Sequence, residues 1–221
     1  MKLIATSGAH TLDGALAVPS RRDLADIAGK VTIVSLFTLM AVRLGMDFVE
    51  TGRLTGLLLL ASEALVVVLT VFRRAPAFVD RSIRARILTT LSLLGPPLVD
   101  PTTVAPLAPE LATVGISAAG LLVVIAGKLS LGRSFGLMPA NRGIVCTGLY
   151  RVVRHPIYMG YLVTHAAFLA ANPSSWNLAV LVIGDIALMA RAVCEEATLA
   201  RDSEYREYQA RVRWRIVPGV F

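Results

Sequence analysis

Three groups of residues in this chain have the types and spacing to do chemistry. The first is Arg154-His155-Pro156, followed by Tyr158, Gly160 and Tyr161. Proline suits the first turn of a helix, where its missing N–H costs nothing, so Arg154 and His155 are expected at a helix N-terminus. Free N–H groups and the positive dipole end favour an anionic group there, and an arginine adds a bidentate grip on a carboxylate or phosphate. Tyr158 and Tyr161, one turn apart, offer aromatic faces to a ligand cation or anchor the helix at an interface. The second group is Glu195-Glu196, at the end of an apolar run. Neighbours on a helix diverge by about 100°, so one carboxylate is expected to face a ligand and the other to find a partner. Arg191, four residues before Glu195, is also spaced for a helix salt bridge. The third group is Glu63, His165 and Asp185, ionisable residues inside apolar runs, where they are costly and candidates for function; for His165 a polar partner on a neighbouring helix is the expected role.

The elements that must position these residues are membrane helices. Of 221 residues, 55% are hydrophobic and 17% charged, with a mean hydropathy of +0.67, against roughly 25% charged in soluble domains. A soluble fold of this size would leave large apolar patches exposed. Six apolar runs read as spans: Ala28 to Val49, Leu54 to Phe72, Ile87 to Val99, Leu111 to Leu131, Ile157 to Ala171, and Trp176 to Val193. The third, which ends at Pro96-Pro97, and the fifth fall short of the usual ~20 residues, so tilting, bilayer thinning or a five-span variant is the alternative. Asn172-Pro173-Ser174-Ser175 is a turn sequence that makes the last two spans a close helical hairpin.

Charge orders these spans. The net charge of +7 is read as topology, because Lys and Arg gather on the cytoplasmic side of short loops. Basic residues cluster before span one, between spans two and three, between four and five, and after span six, leaving only Arg43 and Arg53 on the other side. Both termini are therefore expected in the cytoplasm, most simply at a plasma membrane of bacterial type. Residues 1–25, with Asp13, Pro19, Arg21 and Arg22, are a poor signal peptide and read as a disordered or surface-lying arm. Residues 26–127 form a four-span region, and 128–221 concentrate Arg, Tyr, Gly, His and Glu on the cytoplasmic face. In the tail, Tyr205, Tyr208, Val212 and Ile216 at spacings of three and four describe a helix lying across that surface, its aromatic stripe against the bundle. The fold class is thus all-α, a polytopic bundle with a C-terminal hairpin and a cytoplasmic surface helix.

Nucleotide and metal motifs of the common kinds are absent, and three histidines at 10, 155 and 165 do not make a metal site. Cys146 and Cys194 form no Cys-x-x-Cys unit. Nucleic acid is not an expected partner, since topology accounts for the basic residues.

The ordered set Arg154-His155-Pro156-x-Tyr158-x-Gly160, a helical hairpin, Glu195-Glu196, Tyr205-x-x-Tyr208 and Arg215-x-x-Pro218 resembles the isoprenylcysteine carboxyl methyltransferase family and its phospholipid methyltransferase relatives. The resemblance covers residues 128–221; Leu149 stands where the family has a proline between Gly148 and Tyr150. It implies an integral membrane enzyme that moves a methyl group from S-adenosylmethionine to a lipophilic small molecule or membrane lipid. By that resemblance Tyr150, Arg154, His155, Tyr158, Gly160, Glu195, Glu196, Tyr205 and Tyr208 belong to the cofactor site. Arg154 and His155 would bind the cofactor carboxylate or orient it, one Glu would take the amino or ribose end, and Tyr158 would shape the methyl site. Transfer from sulfur is an in-line displacement that chiefly needs alignment and exclusion of water. A carboxylate acceptor needs no base; an amine or phenol does, with His155, Glu63 or a Glu of the pair as candidates, and the catalytic set expected is Arg154, His155 and Glu63. Two other readings stand beside it: a membrane reductase resembling the steroid 5α-reductase group, using NADPH, and a transporter or structural protein in which Glu63 and Asp185 line a pathway.

Overall fold

The computed structural model describes residues 21–72, 78–134 and 139–221, without the side chains of 21–30, 32, 33, 65–72, 78 and 133. The chain falls into two compact units, Met1–Ser35 and Leu36–Phe221. Of the first, residues 21–35 are described, and they are helical. Most of the expected arm thus lies outside the described residues, and residues 21–25 are helical, at the start of α1.

The elements run α1 (Arg21–Thr51), α2 (Leu54–Phe72), β1 (Phe78–Val79), α3 (Ile83–Leu98), α4 (Glu110–Leu131), β2 (Ala140–Asn141), α5 (Pro156–Ala171), α6 (Ser175–Leu199) and α7 (Ser203–Arg211), with short 3-10 turns at Gly132–Ser134 and Gly148–Arg151. Every apolar run in the sequence is helical, and the boundaries have local causes. Gly52, with φ +75°, closes α1 by donating from its N–H to Phe48 O at 2.8 Å, a left-handed cap that glycine adopts without strain. Ser82 and Ser174 cap α3 and α6 by accepting from the N–H groups of Ala85 and Asn177. Pro156 takes the first turn of α5, as its lack of an N–H demands. Helix α3 carries Pro96 and Pro97 in its final turn and ends at Leu98.

Helices α4 and α6 are long and apolar enough to cross a membrane, and Leu54–Ala64 and Pro156–Ala171 are shorter apolar stretches. Leu111, Leu122 and Leu129 on α4 and Ile183 and Ile186 on α6 point outward and exposed. Such outward apolar rows suit lipid and are rare on soluble surfaces.

Within Leu36–Phe221, α4 packs on α5, α3 on α6, and α2 on both α4 and α5. The expected close hairpin is therefore open: α5 and α6 share a tight turn, then each lies principally against a different neighbour. Glycines explain the choice of neighbour. A Cβ on Gly160 would stand 2.7 Å from Gly120 O, and one on Gly120 2.9 Å from Gly160 O, so only glycines permit this approach of α4 to α5. Gly95 and Gly184 play the milder counterpart between α3 and α6, their Cα atoms meeting an added Cβ at ordinary contact distance.

The two ends of this unit differ in chemistry. At one, Arg53 donates to Thr102 O at 2.9 Å, Asn177 donates to the carbonyls of Asp100 and Asn172, and Trp176 Nε1 donates to Leu98 O. These bonds gather the α1–α2, α3–α4 and α5–α6 connections at one end. The other end gathers α7 and the tail. Here the expected continuous surface helix is corrected: α7 stops at Arg211, and Val212 to Phe221 leave it as irregular chain. Tyr205, Tyr208 and Val212 pack with Tyr150, whereas Ile216 joins a separate core of Val124, Ile157, Tyr158, Tyr161, Leu188 and Ala192. The all-α expectation also needs one amendment, a two-residue antiparallel pair of β1 with β2 in which Phe78 faces Asn141 and Val79 faces Ala140. Two residues are too few to show alternation in sequence; they pair because buried backbone groups need partners.

Candidate functional site

Arg154 is the centre of a polar knot that ties α5, α6 and the tail together. Its backbone N–H donates to Trp214 O at 2.9 Å, and that of His155 to Arg215 O at 2.7 Å. The Arg154 guanidinium donates to Glu196 twice, Nε to Oε1 at 2.7 Å and Nη2 to Oε2 at 3.3 Å, and Nη1 donates to the carbonyls of Val212 at 2.7 Å and Arg213 at 2.9 Å. Glu196 accepts further from Arg215 Nε at 2.8 Å, from Gln209 at 3.3 Å and from His155 Nε2 at 3.2 Å. Both partners are buried. The sequence reading had Arg154 bind the cofactor carboxylate or orient the cofactor; in the structure its Nε, Nη1 and Nη2 all donate inside the protein.

The Glu pair divides its work as the 100° rule requires. Glu196 points into the knot, and Glu195 points the other way, accepting from the Tyr158 hydroxyl at 2.7 Å. Glu195 lines a cavity with about 1070 Å³ of non-atom space, its open mouth included. The wall also holds Tyr150, Arg154, His155, Tyr158, Tyr205 and Tyr208 from the expected set, with Glu63 at another part of the same cavity. Gly160 and Glu196 are not on the wall: Gly160 is a helix contact and Glu196 a brace. Tyr158 is gripped on three sides, by Glu195, by the His155 ring stacked at 5.1 Å, and by the Arg191 guanidinium 5.5 Å from its centroid. Arg191 also donates to Ser92 Oγ at 3.4 Å. The helix salt bridge drawn from spacing thus gives way to contacts with α3 and α5.

Sequence reasoning missed part of the wall. Ser92, Leu93 and Pro96 come from α3, and Arg142 to Val145 from the segment after β2. Only the proximity of these segments in the fold brings them here, so no local signal marked them. His165 has the polar partner on a neighbouring helix that the sequence suggested, Asp185 on α6, and it lines the cavity as well. Its Nδ1 lies 2.7 Å from Asp185 Oδ1, and Lys128 Nζ donates nearby to Ser62 O. Ten residues separate His155 from His165, or about 15 Å along a helix at 1.5 Å per residue, so the cavity runs far down α5.

Charge at the mouth is set by burial and hydrogen bonds. Burial alone would hinder ionisation of Glu196, which follows the apolar run Trp176 to Val193; hydrogen bonds from His155, Arg154 and Arg215 outweigh it and hold the carboxyl down at about 2. Burial first, then the charges of Glu196 and Glu195, push the Tyr205 hydroxyl up, so it stays a donor at any physiological pH. Because the folded value of Glu196 lies below its ordinary 4.5, its contribution to stability is complete above that pH and is lost as pH falls toward 2. Thermal unfolding of wild type and Glu196→Gln in detergent is expected to show a gap that is constant at pH 5–7 and shrinks steadily at lower pH.

Residues 109–212 match a family described as "Protein of unknown function (DUF1295)". No curated protein matches the chain. The matched segment runs from the start of α4 through α7 and contains every cofactor-site residue named above, while Glu63, on α2, lies outside it.

Proposed function

We propose that this chain is a polytopic membrane protein of six spans, both ends cytoplasmic, that transfers a methyl group from S-adenosylmethionine to a lipophilic acceptor. The one-sided distribution of Lys and Arg, the outward apolar rows and the sorting of the connections to two ends support the topology. The observation that carries the chemistry is Glu195. Its carboxylate sits on the wall of a tyrosine-lined cavity, beside the Arg-His-Pro helix start, while the adjacent Glu196 is fully occupied in holding that start in place.

The donor set suits the cofactor. Glu195 offers an anionic acceptor for an ammonium or ribose hydroxyls, the faces of Tyr158 and Tyr205 can hold a sulfonium, and Arg142 and Arg191 line the wall toward a carboxylate. When bound, S-adenosylmethionine supplies an activated methyl group. The protein's own task is to orient it: Tyr158 is fixed by Glu195 and the His155 ring, and α7, tied to Glu196 through Gln209, puts Tyr205 and Tyr208 on the wall to help exclude water. Arg154 is on this reading a positioning residue. Polar cofactor enters from the cytoplasmic end and the acceptor from the bilayer.

Calorimetry with S-adenosylmethionine and its demethylated product, with NADPH in parallel, tests this. Micromolar binding of the methyl donor or its product is expected. Glu195→Gln should weaken it about 10- to 100-fold, the worth of a charge-assisted hydrogen bond, with a much smaller loss in Tm than Glu196→Ala, because the amide oxygen still accepts from Tyr158. Binding of NADPH alone would put the reductase in its place, and silence from all three would leave a transporter or structural protein.

A further inference from the structure

The deep end of the cavity carries a second built site that the cofactor does not need. His165 is 5% exposed, lines the cavity, and stacks on Tyr161 with ring centroids 6.1 Å apart. Asp185 Oδ1 lies 2.7 Å from its Nδ1, and a carboxylate can only accept, so Nδ1 carries the proton. With the ring neutral and its proton on Nδ1, the other nitrogen, Nε2, is a lone-pair acceptor, and it is buried with no hydrogen-bond partner among the described residues. A buried acceptor left unmade is costly, and its removal from water is repaid when a ligand donates to it. The neighbouring charges narrow the ligand. Glu63 and Asp185 are the carboxylates beside the ring, and the Lys128 ammonium interacts with Glu63 and lies 5.3 Å from the Tyr161 centroid. A ligand carboxylate would add a third negative charge, and it has no proton to give.

We infer that the deep end of the cavity binds a neutral lipophilic molecule through its hydroxyl, phenolic or alcoholic, which donates to His165 Nε2. That this molecule is the methyl acceptor rests on the function proposed above; the site itself does not. Under that function the hydroxyl proton passes to His165 Nε2 as the oxygen takes the methyl group that the sulfonium gives up, and once the ring has returned that proton to water the ether product has none left to donate to it.

The test uses the full-length protein in nanodiscs and four probes of equal tail length: para-octylphenol, its methyl ether, para-octylbenzoate and para-octylbenzylammonium. The phenol is expected to bind about tenfold more tightly than the ether, and His165→Gln should abolish that preference while leaving binding of the demethylated cofactor intact. Should the variant not fold, selective ¹⁵N labelling of the three histidines in wild type gives a second readout, with the His165 Nε2 resonance moving with the phenol and not with the ether. Equal affinity for phenol and ether, a preference that survives His165→Gln, or tighter binding of the benzoate or the ammonium would each overturn the inference. If wild type prefers the phenol but binds no methyl donor or product, the hydroxyl site stands and the methyltransferase reading falls.

Discussion

Glu196→Ala is expected to cost about 3–5 kcal/mol, the range for breaking a buried ion pair by removing one partner. The loss is not the value of one salt bridge. Arg154 would keep its bonds to the carbonyls of Val212 and Arg213 but retain a buried positive charge with no counter-ion, and Arg215, Gln209 and His155 would lose their common acceptor. The tail is attached to the bundle through this cluster, so it should detach before the helices separate. Two measurements check this in sequence: limited proteolysis, with cleavage moving into 201–221, and thermal unfolding in detergent. A paired replacement, Arg154→Met with Glu196→Leu, removes both charges at similar volume and should recover more than half the loss, since desolvation of the pair offsets much of its attraction. A single Arg154→Met should be milder than Glu196→Ala, because Glu196 keeps Arg215 and His155.

Gly160→Val should be comparably severe for a wholly different reason. Even a single Cβ at that position stands 2.5 Å from Val124 Cγ2, 2.7 Å from Gly120 O and 2.9 Å from Val124 N. Two of those three atoms are backbone, so no rotamer change relieves the overlap and α4 and α5 must part. Overpacking costs roughly 1–3 kcal/mol where side chains can yield; here the upper end or beyond is expected. The consequence reaches the site, because α5 carries Tyr158, Tyr161 and His165, and a displaced α5 should abolish cofactor binding in whatever protein still folds. Gly115→Ala on α4 is the control. It meets nothing within 4 Å, so helix propensity alone should make it stabilising by about 0.5–1 kcal/mol. If both substitutions moved Tm equally, the close crossing of α4 and α5 would not be what holds the cavity open.

These expectations show how far the chain could be read without its fold. The motif around Arg154 declares its own local structure. Pro156 dictates a helix start, and a helix start with Arg and His before it is an anion-friendly end in any context. What it cannot declare is whether the anion is a ligand or another part of the protein. Glu196, forty-two residues later, takes that place, and nothing in the spacing of Arg154 distinguishes the two. The Glu pair was half legible: the helical angle requires the two carboxylates to diverge, but which one meets the cavity depends on where α5 lies. The tail misled, because spacings of three and four in Tyr205, Tyr208, Val212 and Ile216 mimic one helix. Its backbone carbonyls instead accept from Arg154 and His155, and Arg215, Ile216 and Val217 all donate to Phe221 O. Tertiary hydrogen bonds outweighed a weak local preference.

Composition, apolar run lengths and caps were enough to set out a mostly helical chain with outward faces suited to lipid and the approximate extent of its apolar helices. Each of these follows from interactions within a few residues or from the chain's transfer between water and lipid, and neither depends on partners distant in sequence. The opening of the α5–α6 hairpin, the division of labour between Glu195 and Glu196, and the pairing of His165 with Asp185 were decided by the fold alone. They depend on which helices approach closely enough to touch, and that was settled by a few glycines whose absent side chains carry no signal until their neighbours are known.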